Sequence, residues 1–287
     1  MLLKFIFILI IGLIASSLIS FYLAIRPVRI ISSIIPAHYQ VRFESLTLHT
    51  ADHLQISGWY IPSQKKTTQA IILLHGYPAD KGDILPSRIF LHTNFNLLFL
   101  DFRYFGKSEG AYSTIGKKEI EDVRAAVNFL QSKGMTEIGL WGFSLGGSVA
   151  IMAAAEIPSI GAVVSESAFA SLYEMVYDYY RFPILNYPLA ELTRLWGLLF
   201  LGQDVKTVSP AESLQKLKIP VLLIHSRQDS VIAFKHAELL EKAAAKMPNV
   251  KTIFVDQLRH GESIENDQAI ISQFFQKSLS KKTLRQR

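Results

Sequence analysis

The pentapeptide Gly142-Phe143-Ser144-Leu145-Gly146 stands between two segments that demand different backbones. Ile138, Leu140 and Trp141 before it suit a strand, and the alanine-rich run from Ser148 to Glu156 after it, free of Gly and Pro, favours a helix. The chain must therefore reverse from strand to helix at Ser144. A turn that sharp strains its central residue and leaves no room for side chains two positions to either side, a demand that Gly142 and Gly146 meet. The serine hydroxyl is left projecting from the turn.

The surrounding pattern supplies a sheet for such a turn. "YQVRFESLTLHT" alternates in the manner of a strand and "QISGWYIP" follows as its hairpin partner. Apolar runs at 70–74, 96–100, 137–141, 160–164, 221–224 and 252–255 read as buried strands. Helical patterns separate most of them, notably "GKKEIEDVRAAVNFLQSKG", where Ile120, Val123, Val127 and Leu130 share one face and Gly134 closes the end. Strands alternating with helices predict an α/β domain with a mostly parallel sheet covered on both faces. With 287 residues, 49% of them hydrophobic, the chain can fill one large domain of this kind and carry an appendage.

Residues 169–208 break the alternation. Phe169, Tyr173, Tyr177, Tyr179, Tyr180, Phe182, Tyr187, Trp196 and Phe200 lie in this stretch of forty, a density far above the chain's 11% aromatic content. The segment is either a crossover helix with a decorated loop or a lid. The lid reading is preferred, and it sets Tyr173, Tyr177 and Trp196 against the substrate.

The two ends differ in character. Phe5 to Ile25 runs 21 residues without a charge, enough for a helix to cross a hydrocarbon core of about 30 Å. A cleaved signal peptide is the alternative, with Lys4 as its charged start and Ala15-Ser16-Ser17 as a cut site. The apolar run continues past that site, so residues 1–29 are read as a membrane anchor. Arg26 and Arg29 against Lys4 lean towards a cytoplasmic catalytic domain. Of the formal charge of +6, five units come from the basic tail, in Lys277, Lys281, Lys282, Arg285 and Arg287. A solvated tail over 278–287 after a domain at 38–277 accounts for four of them, with Lys277 at the boundary; attraction to anionic lipid is the alternative. The absence of cysteine excludes disulfides, thiolate metal sites and thiol catalysis.

A serine hydroxyl is a weak nucleophile at neutral pH and needs a base, itself oriented by a third group. "PVLLIHSRQDSVI" puts Asp229 just past a strand's carboxyl end, and "KTIFVDQLRHGES" puts His260 just past the next. Glu166 in "SESAF" is a second candidate acid in an equivalent loop. The oxyanion formed on attack needs backbone N–H donors, for which Leu145 and Tyr77, in "IILLHGYPADKGD", are placed. His75, Asp101 and Arg103 read as loop-bracing side chains.

On the stretches "HGYPADKGD", "LDFRYFGKSEG", "GFSLGGS", "HSRQDSVI" and "LRHGES", residues 40–275 resemble a serine hydrolase of the α/β-hydrolase superfamily, in its membrane-anchored Bem46/ABHD-type, prolyl-oligopeptidase-like branch. The resemblance implies an eight-stranded sheet, a Ser144–Asp229–His260 triad in the chain order of that superfamily, no metal or other cofactor, and ester-type substrates, small or lipid-like. One departure stands out: the family usually has glycine after the arginine of "DFRYFG", where this chain has Tyr104.

Neither G-x-x-x-x-G-K-[ST] nor G-x-G-x-x-G occurs, so no nucleotide is implied, and there is no H-E-x-x-H for a metal hydrolase. The basic tail lacks the interleaved aromatics of a nucleic-acid platform. The leading expectation is a carboxylic-ester hydrolase for medium-length or lipid-derived acyl groups. A peptidase, amidase, thioesterase or acyltransferase using the same triad is the runner-up, and a silent scaffold the third reading.

Overall fold

The computed structural model of the chain describes residues 1–180, 184–256, 258–262 and 267–285. Phe182 and Arg287, named above, lie outside them. Eight strands form one sheet: β1 (Glu44–His49), β2 (Gln55–Ile61), β3 (Gln69–Leu74), β4 (Asn96–Leu100), β5 (Glu137–Phe143), β6 (Ile160–Glu166), β7 (Val221–Ser226) and β8 (Val250–Val255). Their order is β1-β2-β4-β3-β5-β6-β7-β8. The β1–β2 and β2–β4 pairs are antiparallel and every other pair is parallel. The mostly parallel sheet is the one expected from the alternation, and its eight strands form the α/β-hydrolase fold that the resemblance implies.

Strand β3 shows why the sheet needs helices on both faces. Ala70, Ile72 and Leu74 enter one apolar core while Ile71 and Leu73 enter the other, as the two-residue period dictates. The helices, in chain order, are α1 (Leu2–Ile25), α2 (Lys81–Arg88), α3 (Glu119–Ser132), α4 (Leu145–Glu156), α5 (Leu172–Tyr179), α6 (Asn186–Trp196), α7 (Pro210–Leu214), α8 (Lys235–Ala244) and α9 (Asp267–Arg285). Val123, Val127 and Leu130 of α3, Val149 of α4 and Leu240 of α8 fill the first core. Ile84 and Leu85 of α2 and Ile271, Phe275 and Leu279 of α9 fill the second. Full burial of each such large apolar side chain stabilises by about 1.5–3 kcal/mol.

The tail departs from expectation. Helix α9 runs on to Arg285, and Leu279 is buried, so the domain does not stop at 277. Ile271, Phe275 and Leu279 recur at four-residue spacing on one face, and that face continues past the boundary drawn from charge alone.

Between β6 and β7 the aromatic segment forms α5, α6 and a π-helical turn at Gly197–Leu201. Helix α1 is long and apolar enough to cross a membrane, with mean hydropathy 2.6. Its final turns do not stand free: Ser17, Phe21 and Ile25, spaced four apart, are buried against the domain. The Phe21 ring meets Phe200 at 6.3 Å, and Trp196 Nε1 donates to Ser17 Oγ at 3.0 Å.

Candidate active site

The elbow is built by backbone crowding. A Cβ on Gly142 would lie 2.0 Å from the Gly146 carbonyl oxygen, and one on Gly146 would lie 2.4 Å from the Leu74 carbonyl oxygen. Ser144 pays for the turn with φ 54°, ψ −116°, a conformation costing about 1–3 kcal/mol for a residue with a Cβ. The parallel pairing of Leu74 with Gly142 and of Phe143 with Glu166 sets Ser144 at the carboxyl edge of the central strands.

Asp229 and His260 arrive from the two loops beyond β7 and β8. Ser226 Oγ ties these loops together by donating to the Leu258 carbonyl at 2.6 Å. Asp229 Oδ1 accepts the N–H groups of Val231 and Ile232 at 2.9 and 2.8 Å, and its Oδ2 lies 2.7 Å from His260 Nδ1. Burial works against ionisation of this carboxyl, but the His260 hydrogen bond and charge and the two backbone donors outweigh it, holding Asp229 below the usual carboxylate range. An ionised carboxylate only accepts, so Nδ1 carries the proton and the Nε2 lone pair faces Ser144 Oγ, 3.1 Å away. Phe143 packs on the imidazole at 4.8 Å between centroids and limits its rotation.

Glu166 has a different occupation. Its Oε2 accepts Arg88 Nη2 at 2.6 Å and Trp141 Nε1 at 3.2 Å. The carboxylate is thereby held on the α2 side of the sheet, while His260 is engaged by Asp229. His75 and Arg103 brace loops as expected: His75 Nδ1–H donates to the Gly76 carbonyl and its Nε2 accepts the Phe102 N–H, while Arg103 spans Asp52 and Asp122. Asp101 is paired with Lys81.

Leu145 is the first residue of α4, where N–H groups have no partner within the helix and the helix dipole is positive. The loop after β3 passes close by, since a Cβ on Gly76 would sit 3.2 Å from Ser144 Cβ. Leu145, Tyr77 and Ser144 all border one cavity of about 270 Å³. Its walls are mainly apolar and include Phe169, Leu172, Met175 and Val176 as well as Phe21 and Ala24 of α1. Tyr77 donates its hydroxyl to the Ala24 carbonyl at 2.9 Å, and burial pushes its pKa up to about 12, so it stays a neutral donor.

The three aromatics expected against substrate lie elsewhere. Tyr173 donates to Glu191 Oε1 at 2.7 Å beneath Lys206, Tyr177 faces Lys235, and Trp196 is spent on Ser17. Tyr179 and Tyr180 border the cavity instead. Helix α5 is short and amphipathic, and its direction is set by packing on α6, which no local pattern reveals. The share taken by α1 was also missed. Its one local sign is the serines at 16, 17 and 20, since small and polar residues in an apolar helix mark a face that meets protein.

The profile of the prolyl oligopeptidase family matches residues 108–282, a span that runs from the loop after β4 through Ser144, Asp229 and His260. The chain belongs to the prolyl oligopeptidase family. It is a serine hydrolase of the α/β-hydrolase superfamily, of Bem46-like type. Among this member's relatives, the Escherichia coli protein YfhR is 29% identical over 236 residues, covering 76% of each chain. Protein bem46 of Schizosaccharomyces pombe is 26% identical over 207 residues, 69% of this chain and 64% of that protein. An esterase of Pyrococcus furiosus superimposes with a TM-score of 0.73 at 25% identity, over 89% of this chain and 98% of the other. The acylaminoacyl peptidase of Pyrococcus horikoshii, at 18% identity and TM-score 0.67 over 85% of this chain and 43% of its own, shares the fold.

Proposed function

We propose that the protein hydrolyses carboxylic esters of medium-length or lipid-derived acyl groups through an acyl-enzyme on Ser144. The observation that carries this reading is the line from Ser144 Oγ through His260 to Asp229, at 3.1 and 2.7 Å, ending on an apolar cavity. Ser144 Oγ attacks the ester carbonyl carbon as His260 Nε2 takes its proton, and the resulting imidazolium is stabilised by Asp229. The oxyanion accepts hydrogen bonds from the Leu145 and Tyr77 N–H groups. Collapse breaks the bond to the leaving alkoxide, which receives the proton from His260; water then repeats the sequence on the acyl-enzyme and releases the acid. The segment 169–208 serves as the lid, α1 as the membrane anchor.

The likeness to an esterase of known structure at 25% identity supports ester substrates. The family's name favours a second reading, amide-bond cleavage with the same residues. The apolar cavity weighs for the ester, because each buried methylene of an acyl chain contributes about 0.8 kcal/mol and needs no polar partner. The test is kcat/KM for p-nitrophenyl esters from C2 to C12 beside the matching anilides. A rise by one to two powers of ten towards medium chains supports the reading; a profile highest at acetate and falling steadily, or faster anilide cleavage, overturns it.

A further inference from the structure

The last turns of α1 form a wall of the cavity beside Ser144. Ser20, Phe21, Leu23 and Ala24 border it together with Met175 and Val176 of α5. Polar bonds as well as apolar packing hold this wall in place. Tyr77 Oη donates to the Ala24 carbonyl at 2.9 Å, the Ser113 N–H to the Ile25 carbonyl at 2.9 Å, and Trp196 Nε1 to Ser17 Oγ at 3.0 Å. Just beyond the helix, Arg29 donates to the carbonyls of Ser108 and Gly110 at 3.0 and 2.9 Å. The helix end is thus fastened to the same loops that frame the nucleophile.

Its depth follows from length. A helix of 24 residues is about 36 Å long, and a hydrocarbon core of about 30 Å needs roughly 20 of them. With α1 spanning the bilayer, the turns around Ser17 and Phe21 therefore reach into the hydrocarbon, and the domain surface packed beside them lies at the same depth. That surface is apolar and exposed: Leu195 by 42%, Leu198 by 43%, Leu199 by 64% and Phe200 by 57%. Water does not favour such a contiguous patch, and a bilayer does.

We infer that α1 is a substrate-binding element as well as an anchor, and that the cavity it walls receives the acyl chain of a membrane-partitioned ester directly from the bilayer. The inference rests on the ester-hydrolase reading and names the substrate class of that site. The acyl chain lies between α1 and α5, with Ala24 beside its path and the carbonyl at Ser144. Added bulk at position 24 then shortens the space available to long chains.

The absence of cysteine makes the test direct. Ala24→Cys, purified as the full chain in detergent micelles, is modified with a butyl methanethiosulfonate; Ile19→Cys, on an exposed part of α1, is the control. Modification at position 24 is expected to lower kcat/KM for p-nitrophenyl dodecanoate relative to acetate at least tenfold against the unmodified variant, the effect of expelling about two methylenes. Modification at position 19 is expected to leave the ratio unchanged. An unmoved ratio at 24, or an equal change at 19, overturns the inference. If the unmodified protein hydrolyses no ester, the ester-hydrolase reading fails by itself, and the wall is read from labelling rates with butyl and dodecyl fluorophosphonates. A shift of that ratio on modifying position 24 supports the inference, and an unmoved ratio overturns it.

Discussion

Tyr104 Oη donates a hydrogen bond of 2.7 Å to the Pro27 carbonyl, joining a loop at the carboxyl edge of the sheet to the segment that leaves α1. The Arg29 guanidinium lies over the same ring at 4.7 Å. Tyr104 adopts φ 71°, a left-handed conformation that glycine takes at less cost, so the side chain is retained against a local preference. The departure from the family's glycine thus has a structural counterpart in the docking of the N-terminal helix.

Tyr104→Phe is expected to lower stability by about 0.5–1.5 kcal/mol, the net worth of one hydrogen bond, and to speed proteolysis between residues 26 and 35. Tyr104→Gly relieves the φ strain but loses both contacts, and is expected to speed proteolysis further. Limited trypsin digestion at Arg26 and Arg29 checks both; unchanged cleavage rates would show that the contact does not hold the linker.

Ser144→Ala is expected to abolish fluorophosphonate labelling and to reduce ester turnover by several powers of ten, because the covalent route is lost. Undiminished labelling would sink the assignment of the nucleophile.

Asp229→Asn is expected to lower kcat by about 10⁴ with the fold retained, since the imidazole then favours the wrong tautomer. Glu166→Gln acts on stability instead, because it weakens the charge-assisted bond to Arg88. Kinetics and thermal melts of the two variants separate these effects, and the reverse ranking in kcat would give the orienting role to Glu166.

The three buried histidines are expected to lower stability as pH drops below about 6.5, against the opposite pull of Asp122, whose carboxyl pKa is pushed up to about 7 by burial. Burial depresses the pKa of His75, His225 and His236, the last to about 4. The unfolded chain takes up these protons near pH 6.5 while the folded chain resists, so the unfolded state binds more protons and stability rises with pH in this window. His236 Nδ1 accepts the Ala170 N–H at 3.2 Å, a bond that needs the unprotonated nitrogen; Asp178 and Lys235 face the same ring. Urea midpoints between pH 4.5 and 7 check the slope, at most about 1.4 kcal/mol per pH unit for each proton. His236→Gln is expected to flatten part of it.

The elbow was legible at the level of five residues because its cause is local: two glycines and one serine satisfy a backbone reversal that nothing distant has to enforce. The sheet and the order Ser144, Asp229, His260 were legible for a similar reason, since burial on both faces writes continuous apolar runs and each run's end marks a loop. The residue pattern left two candidate acids and the resemblance named Asp229; tertiary structure supplies the physical difference between them. Asp229 and Glu166 stand in equivalent loops, and what tells them apart is Arg88 on a helix 78 positions away. The cavity wall was hidden more deeply. Trp196 and Ser17 meet across 179 positions, and in a helix as uniformly apolar as α1 no hydrophobic period shows which face packs on the domain and which stays exposed. Local sterics and burial period can be read along a chain, whereas the choice of partners by an apolar surface depends on shapes that exist only once the chain has folded.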